Sequence, residues 1–213
     1  MADRSLLALV KIAVEVITLV VTLCTGIAVA TTVGVTRAKI HLCILSVDVS
    51  CNSNYDFNDA APSTCNYCLA IPIISVVLSP VIAAYRFFVY LKPNRGTGVI
   101  TIVIVGGLAL LSILWLVTAA IVSAGLASFC NQLGCYQPGA DCRYLQNNIG
   151  WNDYYDGKSF YDMTKTAEAA AWVSFLFWTG LTVWCFVWDL IIRRRSPRQS
   201  SQAGKPTPVD VPI

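Results

Sequence analysis

Residues 99–129 read VITIVIVGGLALLSILWLVTAAIVSAGLASF, without one charged side chain, and the run stops abruptly at Cys130. A helix of that length rises about 46 Å at about 1.5 Å per residue. A hydrocarbon core of about 30 Å needs only about 20 apolar residues to be crossed. A water-soluble core helix has no use for so long an uncharged run. The stretch reads as a transmembrane helix, tilted or projecting beyond the bilayer, and the chain as an integral membrane protein.

The flanks extend the reading. Upstream, the polar turn 92–98 (Lys92-Pro93-Asn94-Arg95-Gly96 at its heart) follows a second apolar run at 69–91. Pro72 and Pro80 fall inside that run, which lipid-embedded helices tolerate when neighbours satisfy the freed backbone groups. Before it lies a polar loop at 36–68, and before that an apolar run at 12–35 broken only by Glu15. The N-terminus, 1–11, is short and basic. Ala28-Val29-Ala30 resembles a signal-cleavage pattern, but signal peptides carry an apolar region of about 7–15 residues, so this longer run reads as a retained helix. Downstream, a second loop at 130–166 is rich in Asn, Asp, Tyr and Gly, a fourth apolar run covers 167–192, and Arg193-Arg194-Arg195 opens a Pro-, Ser- and Gln-rich tail at 193–213 that reads as disordered. The expected fold class is an all-α membrane protein: a four-helix transmembrane bundle with two cysteine-containing outer loops.

Composition agrees. Of 213 residues, 56% are hydrophobic and 13% charged, against about 25% charged in a soluble domain. A net charge of +3 gives no footprint for nucleic acid. The basic residues sort by position. Arg4, Lys11, Lys92, Arg95, Arg193, Arg194, Arg195, Arg198 and Lys205 lie at the termini and the central turn, with Arg86 close by. In the two long loops carboxylates outnumber the basic residues. The positive-inside rule then puts both termini in the cytoplasm and both loops outside, in the plasma membrane or a secretory-pathway membrane.

Cysteine usage points the same way. Seven of the nine cysteines lie in the loops: Cys43, Cys51, Cys65 and Cys68, then Cys130, Cys135 and Cys142. Cysteines in polar loops of a membrane protein suggest an oxidising face. Four cysteines allow three pairings, and the spacing does not choose among them. Cys65-x-x-Cys68 has ligand-like spacing for zinc, but there is no second such pair and His41 is the sole histidine, so disulfides are the expectation. Seven is odd, leaving at least one outer cysteine free or paired with another chain. Cys24 and Cys185 fall inside helices as small apolar groups.

Charged groups inside spans are functional candidates by default. Lys11 and Glu15 sit one turn apart near the inner end of the first helix, where they form an expected ion pair. Asp189 stands four residues before Arg193, in pairing register on the fourth helix. The aromatic residues of that helix, Trp172 and Trp188 at its ends, read as interfacial anchors and bundle packing. Small residues recur every four positions in each helix: Thr22, Gly26, Ala30 and Gly34; Ser75, Ser79 and Ala83; Ala120, Ala124 and Ser128; Ala170 and Ser174. Such ladders let helix backbones approach closely in lipid. No P-loop, GxSxG or HExxH pattern occurs, no N-x-Ser/Thr sequon stands in the loops, and no cofactor is implied. In the tail, Ser196 within Arg194-Arg195-Ser196-Pro197 is a candidate phosphosite beside a lipid-attracting basic cluster. The terminal Val211-Pro212-Ile213 could add a strand to a PDZ groove.

The tetraspanin Cys-Cys-Gly signature is absent from the second loop, and the claudin Trp…Gly-Leu-Trp…Cys…Cys pattern from the first. The chain instead resembles the family of transmembrane protein 179 and its B-type relative, four-span membrane proteins. The matching segments are His41-Leu42-Cys43-Ile44-Leu45, Ser63-Thr64-Cys65, Ala120-Ile121-Val122-Ser123-Ala124-Gly125 with Cys130-Asn131, Asp141-Cys142-Arg143-Tyr144-Leu145-Gln146, and Ser159-Phe160-Tyr161-Asp162 followed by Ala171-Trp172-Val173-Ser174. The resemblance implies a shared cysteine set and pairs Cys43 with Cys65 and Cys130 with Cys142. Cys51, Cys68 and Cys135 depart from the family pattern; a Cys51–Cys68 bridge would leave Cys135 over. The functional expectation is a non-enzymatic accessory or organising subunit that binds a membrane-protein partner through its outer loops. The alternative is a small channel or transporter formed as a homo-oligomer, which would require a polar stripe along one helix.

Overall fold

The computed structural model describes residues 2–50, 56–59, 61–91, 98–134, 139–148, 151 and 156–188. In chain order these form α1 (Ala2–Ile40), a 3-10 turn (Ile44–Ser46), β1 (Val47–Ser50), β2 (Asp56–Asp59), α2 (Pro62–Leu91), α3 (Gly98–Leu133), α4 (Cys142–Asn148) and α5 (Phe160–Cys185). By length and composition the four long helices α1, α2, α3 and α5 supply four segments able to cross a membrane, Leu9–Ile40, Ser63–Phe88, Ile102–Leu133 and Phe160–Trp188, the last running three residues past α5. Their apolar residues face both inward and outward, as helices bathed in lipid require.

What selects the inward face is spacing. In α5 the buried positions are Phe160, Thr164, Ala167, Ala171, Ser174, Trp178, Leu181 and Cys185, stepping alternately by four and three. α1 repeats the rhythm through Thr22, Gly26, Val29, Val33, Thr36 and Ile40, and α3 through Leu108, Leu111, Trp115, Val122, Phe129 and Leu133. That heptad pattern is the knobs-into-holes seam of a left-handed bundle. α1 packs along α2 and α5, and α5 along α3. The first two ladders of small residues serve this packing: Thr22, Gly26, Ser75 and Ser79 are buried, and a Cβ on Gly26 would stand 3.1 Å from Val76 Cγ2. In α3 the ladder does not. Ala120, Ala124 and Ser128 face outward, because Trp115, Ala119, Val122 and Leu126 hold the seam.

The helices overrun the limits drawn from hydropathy. α1 begins at Ala2 and continues to Ile40, α2 starts at Pro62 rather than 69, α3 reaches Leu133, and α5 starts at Phe160 rather than 167. Polar residues beyond the hydrocarbon do not stop a helix while its buried face still has partners. Here those partners form a second apolar cluster of Ile40, Ile44, Val47, Leu126, Phe129, Leu133, Leu145 and Phe160 at one end of the bundle, which also holds the disulfides. α1 ends where His41 turns left-handed (φ 56°) and its N–H bonds the Arg37 carbonyl at 2.9 Å. That single bond is an αL cap. α5 passes through a wider π turn at 186–188. A two-stranded antiparallel hairpin, Val47 opposite Asp59 through Ser50 opposite Asp56, adds the β structure not foreseen in the first loop. The turn at 92–97 and the tail from 189 lie outside the described residues.

Candidate functional site

At the disulfide end, the segments between the helices fold into a built platform. Cys43 bonds Cys65 and Cys130 bonds Cys142, with Cα separations of 5.7 and 5.4 Å. The first ties the 3-10 turn to the start of α2; the second ties α4 to the end of α3. Cys68 differs from the Cys51–Cys68 expectation. It lies one turn beyond Cys65 on the inward face of α2, is fully buried among core residues, and carries a free thiol. Cys51 and Cys135 are outside the described residues.

Gln146, 2% exposed, organises the platform. Its Oε1 accepts from the backbone N–H groups of Tyr161 (2.7 Å) and Asp162 (3.2 Å), and its Nε2 donates to Asp162 Oδ2 at 3.1 Å. Ser159, at the N-cap of α5, makes no side-chain cap bond, so Gln146 supplies it from α4. The Gln146 carbonyl accepts from Trp151 Nε1 at 3.0 Å. Trp151 and Phe129 meet Phe160 edge-on, and Gly157 passes so close under the Trp151 indole that a side chain there has no room. The hairpin is pinned to α3 by Val49 N–H donating to Gln132 Oε1 at 2.7 Å. We expect Gln146→Ala to lower stability by about 1–2 kcal/mol, since two part-buried N–H donors at the start of α5 lose their acceptor. The check is the unfolding midpoint in mild detergent, followed by tryptophan fluorescence.

On this base α4 buries Cys142, Leu145 and Gln146 and presents Arg143, Tyr144, Asn147 and Asn148 outward. Tyr144 is 48% exposed, and Arg143 Nε stands 3.5 Å from Asp162 Oδ1. Sequence reasoning did not single out this face or Gln146. The signals available were the family-like segment Asp141–Gln146 and the i, i+3 spacing of Cys142 and Leu145.

The membrane-embedded charges sit toward the other end, and the structure rearranges them. Glu15 meets Lys11 on its own helix and, more closely, Arg86 on α2: Nη2 to Oε1 at 2.6 Å and Nε to Oε2 at 3.2 Å. Lys11 Nζ stands 3.9 Å from Glu15 and 5.1 Å from the ring centre of Trp188. The Glu15 and Arg86 side chains are 10% and 11% exposed, so the two-point pair is a buried clasp between α1 and α2. Arg86 is held between the helices rather than at the membrane edge with the other basic residues. The bundle core adds Trp115 Nε1 donating to Ser75 Oγ (2.8 Å) and Ser174 Oγ donating to Thr25 Oγ1 (2.6 Å). Among the described residues, no three His, Cys, Asp or Glu side chains gather as a metal site would need. Ser196, the Arg193–195 cluster and Val211–Ile213 lie outside the described residues.

Four apolar spans and a disulfide-tied platform define a multi-pass, four-helix membrane protein. A family model described as "Transmembrane protein 179/179B Claudin domain" matches residues 7–206, and the chain belongs to that family. The claudin-type domain is therefore present although the claudin Trp…Gly-Leu-Trp…Cys…Cys pattern is not. No curated protein matched in comparison, and no solved structure did.

Proposed function

We propose that this chain is a non-enzymatic accessory or organising subunit, and that the outward face of α4 docks a membrane-protein partner. The observation that carries the reading is the mounting of that face. A disulfide, a buried glutamine and an apolar cluster fix α4, while Tyr144 and the Arg143 side chain, paired with Asp162, stand exposed with Asn147 and Asn148. Tyr and Arg are the side chains over-represented at binding hot spots, and a preorganised mount lowers the entropy lost on binding. The distribution of basic residues and the disulfides support an orientation with this face outside or lumenal and both termini cytoplasmic, in the plasma membrane or a secretory-pathway membrane. The fitting partner is another membrane protein with an acidic and aromatic outer surface.

The test is co-purification in mild detergent under non-reducing conditions, with partners identified by mass spectrometry. A stoichiometric partner is expected. An Arg143→Ala/Tyr144→Ala variant should retain it about ten-fold or more less well, as loss of a hot spot of about 2 kcal/mol implies, with an unchanged unfolding midpoint. A clean homo-oligomer without a partner would overturn this reading, and ion flux in reconstituted vesicles would then test the channel alternative.

A further inference from the structure

Each long helix shows large apolar side chains on its outward face over only part of its length. They run from Leu9 to Ile27 on α1, from Ile73 to Phe88 on α2, from Val99 to Val117 on α3 and from Trp172 to Val187 on α5. Past these limits toward the platform, Val35 and Tyr144 are the only large apolar residues exposed among those described. Single ones are ordinary on a surface that faces water. The outward positions of α3 past Val117 hold Ala120, Ala124, Ala127, Ser128 and Asn131, and those of α5 before Trp172 hold Asp162, Lys165, Thr166 and Ala169.

The four limits lie at one level. Trp115 on α3 donates to Ser75 on α2 at 2.8 Å, and Val117 and Ile73 each stand two residues beyond that bond. Ser174 on α5 donates to Thr25 on α1 at 2.6 Å, and Trp172 and Ile27 each stand two residues beyond it. The Glu15–Arg86 clasp joins the two sets: 12 residues lead from Glu15 to Ile27 and 13 from Arg86 to Ile73. On α1 and α3 the belt rises about 27 Å at about 1.5 Å per residue, close to a hydrocarbon core of about 30 Å. A polar group closes it. Trp172 Nε1 donates to Ser123 Oγ at 3.2 Å, Ser123 Oγ donates to Glu168 Oε1 at 2.8 Å, and Lys165 Nζ pairs with Glu168 Oε2 at 2.6 Å. The Lys165 side chain is 54% exposed, which has no place in hydrocarbon, whereas a half-exposed tryptophan belongs at the interface.

We propose that lipid hydrocarbon covers this belt alone, and that α3 past Val117 and α5 before Trp172 stand in water as a stalk under the platform. Cys130, which anchors α4, is then about 20 Å above the hydrocarbon. The uncharged run 99–129 divides between two surroundings. Its part past Val117 is apolar because Val122, Leu126 and Phe129 fill the protein interior, not because lipid surrounds it. The ladder Ala120, Ala124 and Ser128 faces water, where the close helix approach that such ladders permit in lipid has no role.

The experiment uses the full chain in phosphatidylcholine vesicles, carrying one nitroxide label at a time on Leu110→Cys, Val117→Cys, Ala124→Cys or Ser128→Cys in α3, or on Thr166→Cys or Leu176→Cys in α5. Cys24, an exposed free thiol, is replaced by Ala in every variant, and the signal of that parent is subtracted. Power saturation compares collisions with oxygen, which concentrates in hydrocarbon, and with a neutral nickel chelate, which stays in water. Oxygen should dominate at Leu110 and Leu176 and the chelate at Ala124, Ser128 and Thr166, with the ratio reversing just past Val117. Oxygen dominance at Ala124 and Ser128 would overturn the proposal, since the whole run would then lie in lipid. Exclusion of both reagents there would overturn it too, because protein would cover that face. Thr166 on a second helix decides the matter if a label on α3 disturbs the fold.

Discussion

Arg86→Leu is expected to cost about 3–5 kcal/mol, the range for breaking one side of a buried ion pair. The loss follows from geometry. Both Glu15 oxygens are taken by Arg86, at 2.6 and 3.2 Å, while Lys11 reaches one of them at 3.9 Å. Removing the guanidinium leaves a carboxylate with a 10% exposed side chain facing apolar helices. Desolvation of that charge then dominates. Adding Glu15→Leu to the variant should recover most of the loss, because replacing both members of a buried pair by apolar groups is close to neutral. Lys11→Ala should cost much less than Arg86→Leu, since it leaves the two-point pair intact. The measurement is the unfolding midpoint of all four proteins in one detergent, read by tryptophan fluorescence. A Lys11→Ala loss equal to that of Arg86→Leu would show that Glu15 depends on its own helix rather than on α2.

That clasp also marks where sequence reasoning stops. The four spans are legible because lipid imposes length and apolarity on contiguous residues, and the run 99–129 needs no tertiary information. The Lys11–Glu15 pair is legible because four-residue spacing on one helix is local. The Arg86–Glu15 pair joins positions 71 residues apart, and nothing in either helix alone announces it. The same holds at the platform. Gln146 sits in a polar loop where glutamine is unremarkable, and only the docking of α4 over the start of α5 makes it a cap. Helix limits erred toward the short side because hydropathy reports lipid contact, whereas the helices continue for as long as Ile40, Leu133 and Phe160 have apolar partners. Cys68 was grouped with the loop cysteines by its nearness to Cys65. Its place on the inward face of α2 follows the heptad rhythm, which outranks sequence proximity.

Glycines in α3 separate the same two kinds of information. Gly106 and Gly107 lie within the uncharged run, and a Cβ on either would meet nothing within 4 Å. Gly125, on the same helix, would place a Cβ 2.8 Å from Leu45 Cα and 2.9 Å from its carbonyl oxygen. Those are backbone atoms, so no rotamer change relieves the clash. Nor can the 3-10 turn retreat freely. Cys43 is bonded to Cys65, and Ser46 Oγ donates to the Ala61 carbonyl at 2.8 Å, fixing the turn at both ends. Gly125→Ala should therefore destabilise by about 1–3 kcal/mol, as overpacking does. Gly125→Val should exceed that, with the turn and its hairpin displaced from α3. Gly107→Ala should be neutral or gain up to about 1 kcal/mol from helix propensity. Unfolding midpoints of the three variants, with the rate at which a mild reductant opens Cys43–Cys65, make the comparison. Displacing the turn uncovers that disulfide, so Gly125→Val should speed its reduction while Gly107→Ala leaves it as in the parent. Equal behaviour of Gly107→Ala and Gly125→Ala would mean that α3 and the turn are not in backbone contact, and that the platform is held by its disulfides alone.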